Sequence, residues 1–386
     1  MMQVLHIASW YPNSKDPFDG DFIQRHLKAL SRYMRVDVIH VVQKNMLLLP
    51  GKKSREQEQD GQLFSTVYFP AWPATNIQFL EKLLFTWRYN QTLKRALNNY
   101  IRQKGKPDLI HLHVPVKGGY GALYVKRKWN IPFVVTEHTS SYFTHTENNY
   151  FSNSRYFQFI TKQSFEQAIA VTSVSNWLLS RLKELFSIQN AKLIRNVVDT
   201  HLFYPVTRTS TSIRLIHVSM MLPLKNVEGI IDALLLVQQQ RTDWEMIMVG
   251  DASDALKERA NALGSNISWT GSISYKEVAQ QMQQADALIH FSRYENLPCV
   301  INEALCCGLP VISSRVGGIE ELVNETNGYL VESNNVPALA TAILNFLNKP
   351  QSFHKTEIST IASSQFSYEV VGKEMLTMYE EILKKN

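Results

Sequence analysis

Short apolar runs rich in β-branched residues alternate along this chain with longer amphipathic segments, in two successive series. This alternation is typical of α/β domains with parallel sheets. The sequence therefore predicts two doubly wound, Rossmann-like domains that follow each other. The first series comprises Val4–Ala8, Val36–Val42, Leu63–Phe69, Leu109–His113, Phe133–Glu137, Ala168–Ser173 and Leu193–Ile194. The second comprises Ser212–Ser219, Trp244–Val249, Ile267–Thr270, Ala287–Phe291 and Val311–Ser313.

The length supports the same division, because 386 residues exceed what one hydrophobic core usually serves. The stretch 196–211 contains Pro205 and a Thr/Ser-rich run but no apolar periodicity, and is the expected linker. We predict an N-terminal domain over residues 1–204, a C-terminal domain over 205–365, and a terminal helix over 366–386 that packs back toward the first domain. The polar segment 52–61 is expected to be a loop.

Charge is distributed unevenly between the halves. Residues 1–200 contain 26 Lys and Arg against 14 Asp and Glu, a net charge of +12, whereas the remainder contains 14 against 20, a net charge of −6. The basic half suits an anionic partner such as a membrane surface or a phosphorylated substrate, although ordinary solubility explains it equally well.

No apolar run reaches the ~18 residues of a spanning helix, so we expect a cytoplasmic protein, peripheral at most on the inner face of the membrane. The three cysteines have neither disulfide nor zinc-site spacing.

The most informative segment runs from 290 to 321. A strand ends near Phe291, a polar loop follows, and a helix is expected to begin at Leu297 or Pro298 with Asn296 as its N-cap. Gly308 then ends it. A helix N-terminus at the carboxyl end of a strand is a natural anion site, suited to a diphosphate.

Two carboxylates flank this expected anion site. Glu295 lies in the loop and Glu303 in the second helical turn, so an anionic ligand there requires a cation from elsewhere. Lys225 is the candidate, because it follows the first strand of the second domain.

Glu295 and Glu303, eight residues apart and followed by ALCCGLPVISSRVGG, resemble the Glu-x7-Glu motif of retaining GT-B glycosyltransferases of family 4. Other segments in the family's order extend the resemblance along nearly the whole chain. These are SWYPNSKDPFDGDFIQRH, VVTEHTSSY, IRNVVDTHLFYP, VGD, WTGSIS and the C-terminal FSYEVVGKEMLTMYEEIL. One position departs from the pattern: Met220 stands where the family commonly has an Arg.

The resemblance implies a role for individual residues on a nucleotide-sugar donor, UDP- or GDP-linked. Lys225 and the backbone of Asn296, Leu297 and Pro298 would hold the diphosphate, and Glu303 the ribose. Glu295 and His138 would act at the donor sugar. Gly20 would let the first-domain backbone approach the phosphates or the acceptor, and Ile273 would contact the base.

The resemblance also implies a fold and an activity. The fold is GT-B, with two domains facing across a cleft. The activity is hexosyl transfer with retention to a hydroxyl of a glycan or lipid-linked glycan, in surface polysaccharide biosynthesis, without a metal or other cofactor. An anionic membrane surface is a possible further partner, and nucleic acid is not expected because no binding module is recognised.

Several alternatives remain open on the sequence alone. The two glutamates could be a capping carboxylate and an ion-pair member, or could belong to a catalytically inactive sugar-nucleotide-binding protein. A glycoside hydrolase is a further alternative, but both glutamates lie on one loop-helix unit and would not face each other across a sugar. A dinucleotide-dependent oxidoreductase is disfavoured because no G-x-G-x-x-G follows the first strand. His111 and His113 are interpreted as sheet residues rather than metal ligands. The amphipathic segment 77–95 fits either a core helix or a helix lying on anionic lipid.

Overall fold

A computed structural model describes residues 2–42, 55–70, 78–146, 149–207 and 212–385. The chain forms two compact units, the first comprising residues 1–195 and 371–386 and the second residues 196–370. The chain thus passes from the first unit to the second at residue 196, earlier than the predicted boundary at 205, and it returns at residue 371.

The first unit is built on an eight-stranded sheet in the described part of the chain, with strand order β3-β4-β2-β1-β5-β6-β7-β8. Its strands are β1 Val4–Ala8, β2 Val36–Val41, β3 Arg55–Asp60, β4 Leu63–Tyr68, β5 Leu109–His113, β6 Phe133–Glu137, β7 Ala170–Ser173 and β8 Ala191–Leu193. All pairs are parallel except β3 with β4. The associated helices are α1 Asp21–Ser31, α2 Gln78–Lys104, α3 Pro115–Trp129, α4 Arg155–Gln167 and α5 Asn176–Leu185.

Strand β3 corrects the predicted loop at 52–61, of which residues 52–54 lie outside the described part. Its sequence REQEQD has no buried residue, and within the described ranges it pairs with β4 alone, at the sheet edge. A strand that is exposed on both faces needs no apolar alternation, which is why the hydrophobic pattern misses it. Charged residues on such an edge also discourage pairing with other chains.

The core of the first unit lies on the central strands, which are buried along their whole length. Leu5, Ile7, Ile110 and Leu112 on β1 and β5 pack with Tyr89, Leu93 and Leu97 of α2. Strands covered on both faces read as continuous apolar runs, and this explains why the sequence revealed them. Helix α2 includes residues 78–95 of the predicted amphipathic segment; Ile77 lies outside the described residues.

The second unit contains a six-stranded parallel sheet of order β11-β10-β9-β12-β13-β14. The strands are β9 Ile213–Val218, β10 Trp244–Val249, β11 Ile267–Gly271, β12 Ala287–His290, β13 Val311–Ser314 and β14 Gly328–Val331. The helices are α6 Val227–Gln238, α7 Asp254–Arg259, α8 Tyr275–Gln283, α9 Cys299–Cys306, α10 Val336–Asn348 and α11 Lys355–Phe366. The two sheets confirm the predicted pair of α/β domains.

The terminal helix α12, Tyr368–Lys385, begins in the second unit and belongs to the first from residue 371 onward. Val371, Met375 and Tyr379 are buried, and the Tyr379 hydroxyl lies 2.5 Å from Nδ1 of His111 on β5. Among the described residues, no helix combines the length and apolar character needed to cross a bilayer.

Candidate functional site

The second sheet has a topological switch point between β9 and β12. Strands added after β9 extend the sheet on one side through β10 and β11, and those added after β12 extend it on the other. Open α/β sheets bind ligands beyond the carboxyl ends of strands at such a point. Lys225 follows β9, and Glu295 follows β12. The fold therefore brings these two predicted residues to the same crevice.

Lys225 lies in a short 3-10 turn, Pro223–Lys225, between β9 and α6. Pro223 fixes φ at the first position of the turn, and Asn226 ends it in the left-handed conformation with φ 52°. The Lys225 side chain is 20% exposed, and its Nζ lies 2.5 Å from Oε1 of Glu295. The ammonium group thus points toward the crevice and ion-pairs with Glu295.

Glu295 is held by three donors that converge on one carboxylate oxygen. Besides Lys225, His290 Nε2 lies 3.0 Å and Ser292 Oγ 2.8 Å from Oε1. Burial alone would raise the pKa of Glu295, but the positive charge of Lys225 and the hydrogen bond from His290 lower that pKa to about 2. Glu295 is therefore a carboxylate at neutral pH. His290 and Ser292 were not among the predicted site residues; their spacing of two at the end of a buried strand was the available signal.

The loop that carries Glu295 is anchored by backbone contacts. Ser313 and Ser314 on β13 donate hydrogen bonds to the carbonyls of His290 and Ser292, at 2.7 and 2.6 Å. Further along the loop, Gly318 N donates to the Asn296 carbonyl at 2.8 Å. The Asn196 side chain donates to the Leu297 carbonyl, also at 2.8 Å. These contacts fix the backbone on both sides of Glu295.

Helix α9 begins later than predicted. Its first residue is Cys299, and Pro298, with extended φ and ψ, occupies the N-cap position that was assigned to Asn296. Pro298 offers no capping side chain, so the first amides of α9 are left without a side-chain cap. Gly308 follows the helix with φ 76°, as a left-handed C-terminal glycine does.

Glu303 lies in the second turn of α9 and is 5% exposed. The hydroxyl of Tyr275, the first residue of α8, donates a hydrogen bond to its Oε1 at 3.1 Å. Ile273, the predicted base contact, is half-buried two residues before Tyr275, in the loop after β11. Tyr275 therefore connects the Ile273 loop to Glu303, a connection that sequence reasoning missed.

His138 belongs to the first unit and directly follows β6. Glu137 holds this turn, because its Oε1 accepts hydrogen bonds from the His138 and Thr139 amides at 2.8 Å each and its Oε2 accepts one from Tyr142 at 2.6 Å. Three rings surround that of His138: Phe22 at 4.9 Å, His26 at 5.2 Å and His113 at 5.8 Å between centroids. Burial lowers the pKa of His138 well below its ordinary value, so the ring is neutral at pH 7.

Gly20 precedes α1 with φ 67°, and an added Cβ would lie 2.5 Å from the carbonyl carbon of Trp10. The glycine is thus required by its own turn, whatever ligand approaches it. Met220, at the position where the resembled family has an Arg, is 75% exposed.

One histidine group has the spacing of a metal site. Ligand atoms of His6, His111 and His113 lie within 4.8 Å of one another, and all three residues are buried. Both nitrogens of His111 already contact hydroxyls, those of Tyr379 and Thr136. Nδ1 of His6 and Nε2 of His113 lie 3.1 Å from each other and share a hydrogen bond. Because nitrogens of all three rings are engaged in hydrogen bonds, we retain the interpretation of His111 and His113 as sheet residues.

Known glycosyltransferases resemble this chain in sequence and in fold. The family model described as glycosyl transferases group 1 matches residues 205–360, and that of glycosyltransferase family 4 matches residues 49–202. An uncharacterised glycosyltransferase of Methanocaldococcus jannaschii is 29% identical over 291 residues, covering 74% of this chain and 78% of its own. A putative teichuronic acid biosynthesis glycosyltransferase of Bacillus subtilis, TuaC, is 24% identical, covering 89% of each chain. The structure of Anabaena Alr3699/HepE in complex with UDP has a TM-score of 0.72 at 19% identity, covering 98% of this chain and all of its own.

The family matches and the fold define a glycosyltransferase of GT-B architecture, with a doubly wound sheet in each unit. Because the two family models together match most of the chain, it belongs to the family 4 glycosyltransferases.

Proposed function

We propose that this enzyme transfers a hexose from a nucleoside diphosphate sugar to a hydroxyl of a glycan or lipid-linked glycan. The observation that carries the proposal is the position of the Lys225 ammonium, 2.5 Å from the Glu295 carboxylate at the switch-point crevice of the second unit. A diphosphate needs a cation and free amides, and the sugar attached to it needs a nearby acceptor of hydroxyl hydrogen bonds.

Each predicted residue then has a part in donor binding. Lys225 and the backbone of 296–298 bind the diphosphate, and the carboxylate of Glu303 accepts hydrogen bonds from the ribose hydroxyls. Glu295 binds hydroxyls of the sugar through its second oxygen, since the three donors described above all contact Oε1. Ile273 contacts the base. We also propose, on the family resemblance alone, that His138 acts on the sugar and that Gly20 serves the phosphates or the acceptor.

The chemistry follows from where charge develops. Breaking the anomeric bond places negative charge on the leaving diphosphate and positive charge on the sugar ring. Fixed donors at the diphosphate and a carboxylate near the ring lower this barrier, and loss of one such donor costs a factor of ~10² to 10³ in rate. We propose that configuration is retained and that the leaving phosphate accepts the proton of the acceptor hydroxyl. We further propose that this charge is stabilised by the chain's own groups rather than by a metal, so that EDTA leaves the rate unchanged.

The donor nucleotide is proposed to be UDP or GDP, as the family resemblance implies. The choice of UDP is supported by a protein of the same fold, Alr3699/HepE, which has been solved with UDP. A role in surface polysaccharide biosynthesis is supported by the similarity to TuaC, whose name assigns it to teichuronic acid.

A thermal-shift screen with UDP-, GDP- and dTDP-linked sugars tests donor binding. A ligand at ~100 times its dissociation constant stabilises the folded protein by roughly 2.7 kcal/mol, so a binding donor raises the Tm measurably. Lys225→Ala should abolish the shift, and Lys276→Ala, an exposed lysine of the same unit, should retain it. A shift of equal size in the Lys225 variant would contradict the proposed diphosphate site.

An anionic membrane surface is the proposed site of action, on the inner face of the membrane. The first unit exposes Leu80, Leu83 and Trp87 on α2 and Tyr156 and Phe159 on α4, with exposed fractions between 39% and 59%. A 2.6 Å hydrogen bond from Asn90 to the Tyr156 hydroxyl joins the two helices. The exposed cations Lys82, Arg155 and Lys162 lie on the same helices. Apolar side chains among cations suit an anionic lipid interface.

Liposome flotation tests this surface. Vesicles rich in anionic lipid should retain the protein at low salt and release it at high salt, and Trp87→Ser with Phe159→Ser should weaken retention several-fold. Ile361→Ser removes a similarly exposed apolar side chain from the second unit and is the control. Binding that ignores lipid charge, or an equal effect of both changes, would contradict the membrane proposal.

A further inference from the structure

Lys225 has two partners to satisfy if the proposed function holds. In this structure its ammonium group pairs with Glu295 at 2.5 Å, whereas donor binding requires its charge at the diphosphate. A phosphate oxygen and a carboxylate oxygen that both contact the same ammonium group repel each other. Donor binding therefore weakens the contact between Lys225 and Glu295, and something else must hold the carboxylate in place for the sugar.

Two other donors are already present. His290 Nε2 at 3.0 Å and Ser292 Oγ at 2.8 Å contact the same Oε1 atom as Lys225 does, and they lie 3.1 Å from each other. Neither belongs to the turn that carries Lys225. His290 is the last residue of β12, and the carbonyls of both residues accept hydrogen bonds from serines of β13.

The hydrogen-bonding roles are fixed by the charge of Glu295. An ionised carboxylate only accepts, so His290 Nε2 carries the hydrogen and donates. Burial lowers the pKa of His290, which keeps the ring neutral and leaves Nδ1 unprotonated. Nδ1 is buried and has no hydrogen-bond partner among the described residues. Among the described residues, the polar contacts of the ring are therefore those of Nε2 with Glu295 and Ser292.

We propose that His290, with Ser292, is a positioning residue that holds Glu295 toward the donor sugar after Lys225 has turned to the diphosphate. The inference rests on the proposed function. It assigns His290 no contact with substrate, so that its removal should slow the reaction without weakening the binding of the nucleoside diphosphate.

The test measures donor hydrolysis by the full chain, with UDP-glucose and GDP-mannose as probes and water as acceptor. In this reaction the anomeric C–O bond to the diphosphate breaks, a C–O bond to water forms, and the water proton goes to the released nucleoside diphosphate. His290→Phe should lower kcat by about 10- to 100-fold, while the Kd for UDP or GDP stays within about threefold. His290→Gln keeps an N–H donor and should recover part of kcat, and Ser292→Ala should show the same pattern more weakly.

His217 provides the matched control. It is as deeply buried as His290 and lies on the neighbouring strand β9, and its nitrogens contact the Ile289 carbonyl at 2.9 Å and Ser219 Oγ at 2.8 Å instead of Glu295. His217→Phe should lower the Tm without the selective loss of kcat.

Three outcomes would overturn the inference. Equal kcat losses in His290→Phe and His217→Phe would show that His290 is merely structural. An unchanged kcat in the double variant His290→Phe/Ser292→Ala would show that neither residue positions Glu295. Absence of nucleotide binding and of hydrolysis in the wild-type chain would overturn the proposed function first and the inference with it.

Discussion

At the scale of single residues, the arrangement of charge around Glu295 decides what the candidate site can bind. Lys225 is the cation nearest to this carboxylate in the described contacts, and its charge is balanced by Glu295 while the site is without ligand. Glu303 adds a second buried carboxylate to the same helix-loop unit. The proposed diphosphate would compete with Glu295 for Lys225, so the first amides of α9, which have no side-chain cap, would have to contribute to its binding.

Glu295→Gln should accordingly have opposite effects on nucleotide binding and on turnover. Removing the negative charge frees Lys225 for the phosphates, so the affinity for free UDP or GDP should rise by about three- to tenfold. Hydrolysis of the corresponding nucleotide sugar should fall by at least about 100-fold, because the group near the anomeric carbon is lost. Calorimetric titration and nucleotide-release assays measure the two effects.

Glu320→Gln is the control for this charge effect. Glu320 pairs with Arg315 on the surface of the same unit, outside the candidate site, so its substitution should change neither quantity. A Glu295→Gln protein that binds the free nucleotide more weakly than wild type would contradict the proposed competition for Lys225.

At the scale of elements, the loop between β12 and α9 is held against the glycine pair that follows β13. Gly317 has φ 61°, and an added Cβ would lie 2.0 Å from the Glu295 carbonyl oxygen. The neighbouring Gly318 amide donates to the Asn296 carbonyl. Only a residue without a side chain permits this close approach of the Gly317 backbone to the Glu295 carbonyl.

Gly317→Ala should therefore both destabilise the protein and impair the site. A left-handed alanine costs about 1–2 kcal/mol, and the clash with Glu295 adds to it, so we expect a loss of at least about 3 kcal/mol with a marked fall in donor hydrolysis. Gly61→Ala is the control, because Gly61 has φ 58° but nothing within 4 Å of its added Cβ. Equal shifts of the two urea-unfolding midpoints would contradict the packing argument.

The sequence predicted the elements whose pattern is physically forced. Buried parallel strands such as β1 and β5 are continuous apolar runs, and Lys225 and Glu295 could be assigned to one crevice because both follow strands.

What could not be predicted depends on contacts remote in sequence. Strand β3 is polar on both faces, so it lacks an apolar pattern. In the sequence His290 is indistinguishable from a core residue, because its contact with Glu295 depends on how the loop folds. The α9 start was misplaced because Asn296 is a good cap by type, yet its carbonyl is engaged by Gly318 and the helix begins after Pro298.

At the scale of the whole molecule, buried histidines make folding sensitive to acid. In the first unit, His6, His26, His40, His111, His113 and His138 are all buried. Burial lowers the pKa of His6 to about 3 and of His40 to about 4. Their rings are neutral in the folded chain, whereas in the unfolded chain they titrate near pH 6.5.

Stability should therefore fall as the pH drops below about 6.5. Above that pH these rings are neutral in both states; below it the unfolded chain binds more protons, and the loss continues until the folded-state pKa values are reached. Urea-unfolding midpoints between pH 8 and pH 5 measure the slope. His40→Asn, whose amide can replace the 2.9 Å contact to the Ala8 carbonyl, should flatten it. His201→Gln replaces an exposed histidine and should leave the slope unchanged. A pH-independent midpoint over this range would contradict the prediction.

The central claim is that the donor diphosphate binds at Lys225 in the second unit, and a crystal structure with the nucleotide sugar that gives the largest thermal shift tests it most directly. We expect a diphosphate oxygen within about 3 Å of Lys225 Nζ, beside the first amides of α9, with Glu295 still in contact with His290 and Ser292. A diphosphate bound elsewhere, with the ammonium group of Lys225 paired to Glu295 alone, would contradict it.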